Sequence, residues 1–235
     1  MGVVGLVAEL RGRLAELEDP ERAASMRRYM KSPMPFRGVG SPELRRLCRQ
    51  LVAAHPLPDE SAWSAAVHEL WDGAAYREER YAAIALAQHR TYREHQHPRT
   101  LELYRHLVVT GAWWDLVDPV ATRGVGGIVL AHRAASTPVI EEWAVDDDLW
   151  LRRTAILCQL HHQERTDLAL LRHVLEENLE GSLNGGQFFV RKAVGWALRQ
   201  HARTDPGWVL AFADEHHDAL SGLSRREALK HLRPG

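Results

Sequence analysis

Arg152-Arg153-Thr154-Ala155-Ile156 is a short phrase that the chain repeats with variations. It returns as Arg80-Tyr81-Ala82-Ala83-Ile84, as Arg191-Lys192-Ala193-Val194 and as Arg225-Arg226-Glu227-Ala228-Leu229. The alanines at 83, 155, 193 and 228 stand 72, 38 and 35 residues apart, so the first interval is close to twice the other two. Its midpoint is Pro119, inside a tryptophan-rich segment. A period of about 35–40 residues with two helices per unit marks an α-solenoid of HEAT or TPR type. Each unit then needs its neighbour to bury its apolar face, which fits the lack of a charge-rich linker. The expected fold is all-α, one HEAT-like solenoid domain over residues 1–235.

Working outward, nearly every segment has helical spacing. Val3, Leu6, Val7, Leu10, Leu14 and Leu17 form one stripe, after which Asp19-Pro20-Glu21 offers an N-cap, a first-turn proline and an acid. Ser32-Pro33-Met34-Pro35 breaks that second helix, and Gly38-Val39-Gly40 reads as a flexible lead-in to a helix capped by Ser41. Asp59 caps the helix carrying Trp63, Val67, Leu70 and Trp71. Later helices are expected near 76–88, 98–109, 113–121, 125–132, 139–144, 149–161, 167–179, 188–203, 206–215 and 224–232. No window shows sustained period-two alternation.

Composition narrows the function classes. The net charge is -1, so no bulk basic excess demands nucleic acid. Of the 30 basic residues only Lys31, Lys192 and Lys230 are lysine, and arginine's planar fork suits phosphate. The two cysteines, Cys48 and Cys158, match no metal or redox spacing, as expected of a reduced cytoplasmic protein. The apolar run Val3–Leu10 reads as a helix and not a signal peptide, and no stretch has membrane-span length. The 14 histidines include His161-His162 and His216-His217 but no metal-binding spacing, so they are read as surface residues and no metal is expected. Phosphate-loop glycine motifs and a nucleophile in a familiar context are lacking.

The unusual chemistry lies in Gly111-Ala112-Trp113-Trp114-Asp115-Leu116-Val117-Asp118-Pro119. In a helix Trp114 and Asp118 share a face, and an indole beside a carboxylate suits a flat cation. With the repeats superimposed on one helical wheel, Trp114, Asp118, Arg153 and Trp196 fall within roughly 140° of one another, which would place them on one concave surface. Tyr29, Trp114 and Trp196 could line a cleft, or serve only packing. Arg153 and Arg199 could hold phosphate, or lie on a solvated helix face.

Four blocks carry a family resemblance: Ala24-Ser25-Met26-Arg27-Arg28-Tyr29-Met30-Lys31, Trp113–Asp118, Leu149–Leu157 and Lys192–Arg199. With Ser224–His231 they resemble the AlkD-type DNA alkylation-repair glycosylases, in the same order, from about Ala24 to His231. The resemblance implies a HEAT-like solenoid whose concave basic surface binds duplex DNA, without a base-flipping pocket. It implies hydrolysis of the N-glycosidic bond of cationic alkylpurines, N3-alkyladenine and N7-alkylguanine, by a monofunctional enzyme using no cofactor. Carried onto this chain, Asp118 is the catalytic carboxylate, Trp114 and Trp196 flank the lesion's deoxyribose, and Tyr29 lies nearby. Arg153 and Arg199 match backbone-contacting positions. The chain departs from the family in being almost free of lysine. Small methyl lesions and bulky adducts both stay open, a monomer is expected, and the alternative is a non-catalytic DNA- or protein-binding scaffold.

Overall fold

The computed structural model describes residues 2–232. The described residues form fourteen α-helices, 72% of the protein is helical, and no strand occurs among those residues. The protein is all-α, built of helical repeats of the α-solenoid type. Its contacts group into two units, one ending at His95 and one beginning at Gln96.

The first unit holds α1 (Val3–Glu16), α2 (Pro20–Met30), α3 (Ser41–Ala54), α4 (Glu60–Asp72) and α5 (Arg77–Ala87). Leu6, Val7, Leu10 and Leu14 of α1 face α3 and α4, where Leu47, Leu51, Trp63, Val67, Leu70 and Trp71 are also buried. Each such side chain contributes roughly 1.5–3 kcal/mol by leaving water. Asp19 and Asp59 cap α2 and α4 as their sequence positions suggest, accepting from Arg22 N at 2.9 Å and Ala62 N at 2.8 Å. Ser41 does not cap α3. Gly40 holds that place, and the Glu43 carboxylate reaches back to its N–H at 3.0 Å.

The lead-in before α3 is also not loose. The buried Glu78 carboxylate accepts from the backbone N–H groups of Arg37, Gly38 and Val39 at 2.8–3.2 Å. Gly38 has φ 87°, and a Cβ there would lie 2.2 Å from the Asp19 carbonyl. Only glycine meets both demands. α2, in contrast, buries no side chain and leaves Arg27, Arg28 and Tyr29 exposed.

The second unit contains α6 (Leu101–Gly111), α7 (Trp114–Pro119), α8 (Gly126–Ala131), α9 (Arg133–Val145), α10 (Leu149–Leu157), α11 (Leu168–Glu176), α12 (Phe188–His201), α13 (Pro206–Glu215) and α14 (Gly222–Ala228). Asp148, Asp167, Asp205 and Ser221 cap α10, α11, α13 and α14 with side-chain oxygens. α9 starts six residues earlier than its proline suggested. Pro138 lies inside the helix, where the hydrogen bond an N–H would have donated to the Ala134 carbonyl is lost.

The repeating alanines now have a cause: Ala83, Ala155, Ala193 and Ala228 are all buried where helices meet. α10 packs on α9 and α12, and α12 on α14. Val190, Val194, Leu198, Val209 and Phe212 fill the space between them. His162 corrects the expectation of surface histidines. It is buried, and its Nε2–H donates to the Gly126 carbonyl at 2.9 Å. Both cysteines are buried, and burial pushes each thiol up to about 12. No helix among the described residues is long and apolar enough to cross a membrane.

Candidate active site

α6 ends at Ala112, whose φ of 42° turns the chain sharply. Trp113 is extended and α7 begins at Trp114, so Trp114 and Asp118 stand four residues apart on a single short helix. Pro119 cannot donate a backbone hydrogen bond, and the chain continues as a π-helical segment, Val120–Val125. Such segments occur often at functional sites. Here two glycines make it fit. A Cβ on Gly124 would lie 2.6 Å from the buried Tyr104 ring, and one on Gly126 would lie 2.4 Å from the Cys158 carbonyl. Thr122 Oγ1 donates to the Asp118 carbonyl at 2.8 Å, tying the segment to the residue that carries the acid.

The Asp118 side chain meets Arg153 of α10. Arg153 Nε donates to Oδ1 at 2.7 Å and one terminal nitrogen donates to Oδ2 at 2.8 Å, a two-point contact between planar groups. The other terminal nitrogen donates to the Phe189 carbonyl at 2.6 Å. Phe189 is itself held in a knot of rings, 4.9 Å from Trp150 and 5.4 Å from Trp113 between centroids. Trp113 is therefore a packing residue. Burial raises the Asp118 carboxyl above its ordinary value, and the Arg153 guanidinium opposes that shift. The result is an acid partly withdrawn from water with a fixed orientation.

The adjacent Arg152 does different work. It donates to the Val145 and Asp146 carbonyls at 2.8 and 2.5 Å, closing the end of α9. Arg153, expected on a backbone phosphate, is turned inward with all three of its nitrogens engaged. Trp196 is half-buried on α12, which packs on α10. Arg199 lies one turn further along α12 and donates to Glu227 of α14 at 2.5 Å. Tyr29 belongs to the first unit and is 73% exposed at the end of α2.

Glu227 and the Phe189 carbonyl carry no signal in the sequence, since each acquires its role from residues about 28–36 positions away. Glu176, Glu215 and His216 bring ligand atoms within 4.8 Å of one another, but a terminal nitrogen of Arg172 stands 3.0 and 2.9 Å from the two carboxylates. That cationic place is taken.

The site is thus a buried arginine that holds a half-buried acid at two points and packs beside the Phe189 ring. The comparisons give this a family. The family model described as DNA alkylation repair enzyme matches residues 10–232. A solved structure, a predicted DNA alkylation repair enzyme from Enterococcus faecalis, is 32% identical, with 93% of this chain and 98% of that chain covered and a TM-score of 0.78. No curated protein sequence matches. The chain belongs to the DNA alkylation repair enzyme family, and its role lies in the repair of alkylated DNA.

Proposed function

We propose that the protein is a monofunctional DNA glycosylase that hydrolyses the N-glycosidic bond of cationic alkylpurines, N3-alkyladenine and N7-alkylguanine, in duplex DNA. The observation that carries the reading is the Asp118 carboxylate, held at two points by Arg153 on the same short helix as Trp114. An alkylpurine with a positive charge is already a good leaving group, so no acid has to protonate it. The demand is for stabilisation of positive charge developing on the sugar, and for a positioned water. A fixed carboxylate meets both needs. Aromatic faces add cation–π contact, which is the work assigned to Trp114 and Trp196.

Arg153 has a double effect in this scheme. It lessens the net negative charge beside the sugar, but it also keeps a partly buried acid ionised and aimed. Tyr29 and Arg199 are assigned to the DNA backbone, and with no base pocket required, bulky adducts as well as methyl groups are candidate lesions. The enzyme works as a monomer in the cytoplasm, at the chromosome, with no cofactor.

The test is release of free base from duplex containing N7-methylguanine or N3-methyladenine. Asp118→Asn is expected to slow single-turnover release by about 10²–10³-fold while duplex binding is kept. Failure of the unaltered protein to release a methylated base or a bulky adduct would sink the proposal.

A further inference from the structure

Gly195 makes a notch in α12. A Cβ there would lie 2.6 Å from the Glu227 Cβ and 3.0 Å from the Ser224 carbonyl, so α14 rests directly on the bare backbone. Glu227 therefore rises over α12 midway between Lys192, one turn before, and Arg199, one turn after. Its Oε1 accepts from Lys192 Nζ at 3.1 Å and its Oε2 accepts from Arg199 at 2.5 Å. Lys192 above all, then Arg199 and Lys230, lower the Glu227 carboxyl below its ordinary value.

One anion is thus held by two cations, one on each oxygen. The two non-bridging oxygens of a phosphodiester present the same pattern. Trp196 shares the face of Lys192 and Arg199, at spacings of four and three. All three charged groups are partly exposed, so an incoming anion can reach them, and ion pairs of this kind are individually weak.

We propose that Glu227 is an internal stand-in for the DNA backbone phosphodiester at Arg199, that Lys192 completes the cation pair holding it, and that it is displaced when duplex binds. The inference rests on the reading above only in requiring that DNA reach this face. It does not require that a base be released. A chain of net charge -1 would in this way keep a cation pair covered until duplex docks, which tempers its hold on DNA elsewhere.

Duplex affinity measured against salt concentration tests it, with undamaged DNA and the full chain. Glu227→Gln is expected to bind about fivefold more tightly. Asp218→Asn, which removes an equal charge at a fully exposed position, is expected to gain less. The gain from Glu227→Gln is expected to vanish when Lys192→Gln and Arg199→Gln are also present. Affinity equal to or below that of Asp218→Asn, or a gain that survives loss of both cations, would overturn the proposal. So would stronger competition by inorganic phosphate in Glu227→Gln with no gain for duplex, which would make this a free-phosphate site. If the unaltered protein releases no base yet the expected binding pattern appears, the glycosylase reading falls and the phosphate site stands.

Discussion

Asp118 and Glu227 are both carboxylates gripped through both oxygens by cations on a neighbouring helix, and they respond in opposite ways. Asp118 faces an arginine whose side chain is 6% exposed, and burial raises its carboxyl despite that partner. Glu227 faces side chains 38% and 25% exposed, and the cations lower its carboxyl despite some burial. Water makes the difference. A pair largely withdrawn from solvent meets few alternative partners, so its geometry is fixed, while a pair with exposed cations exchanges readily with a competing ion. The first arrangement suits a group that must hold one position through a reaction. The second suits a group that gives way.

The largest effect expected from breaking this contrast is at Arg153. Arg153→Met leaves the Asp118 carboxylate without its cation and is expected to cost on the order of 3–5 kcal/mol in denaturant unfolding near neutral pH. The sign of its pH dependence follows from protonation. Below the Asp118 pKa the neutral acid needs no cation, so the deficit should shrink at acid pH and grow as pH rises. An equal deficit at both ends would mean that lost packing, and not lost charge, is responsible.

Catalysis gives a second measure of the same pair. Release should require ionised Asp118, so the rate should fall as pH drops through a pKa above the ordinary 3.8 of aspartate. Arg153 opposes the rise, so its replacement should carry that acid limb to still higher pH. Single-turnover rates across pH would show it. An acid limb that stays put would mean that some other group sets it.

At the surface pair the effects are smaller. Gly195→Ala must part α12 from α14 and is expected to cost about 1–3 kcal/mol in thermal or denaturant unfolding. It should also tighten duplex binding, because Glu227 is lifted away from Lys192 and Arg199. Glu227→Gln itself should change unfolding stability by no more than about 1 kcal/mol. A loss as large as that at Arg153 would erase the distinction between the two pairs.

Helices were legible in the sequence wherever a short polar side chain stood before an apolar stripe. Asp19 and Asp59 cap the helices that follow them, whereas Ser41, read the same way, yields that place to Gly40. The buried alanines were legible as a repeat because close helix contact tolerates little else. α9 was misjudged because Pro138 was taken for a helix start, a position it favours but does not require. The π-helical segment left no trace, since one additional residue in a turn does not alter the spacing enough to be seen. For the site, Trp114 and Asp118 were legible as neighbours on a helix, being only four residues apart. The partner of Asp118 was not. The helical wheel put Arg153 on the same arc, but the pairing joins residues 35 positions apart and is decided by how α10 packs. Arg152 and Arg153 could not be told apart in sequence, and only packing sends one to carbonyls and the other to the acid.

The sealed thiols of Cys48 and Cys158 bear on how the protein withstands the agents whose damage it repairs. Alkylating electrophiles attack thiolates first, and a thiol pushed to about 12 is ionised near neutral pH in only about one molecule in 10⁵. Both sulfurs are also out of solvent, so neither thiol competes with DNA for the reagent while the fold is closed. Alkylation at cysteine then waits on local opening of the helices that bury Cys48 and Cys158.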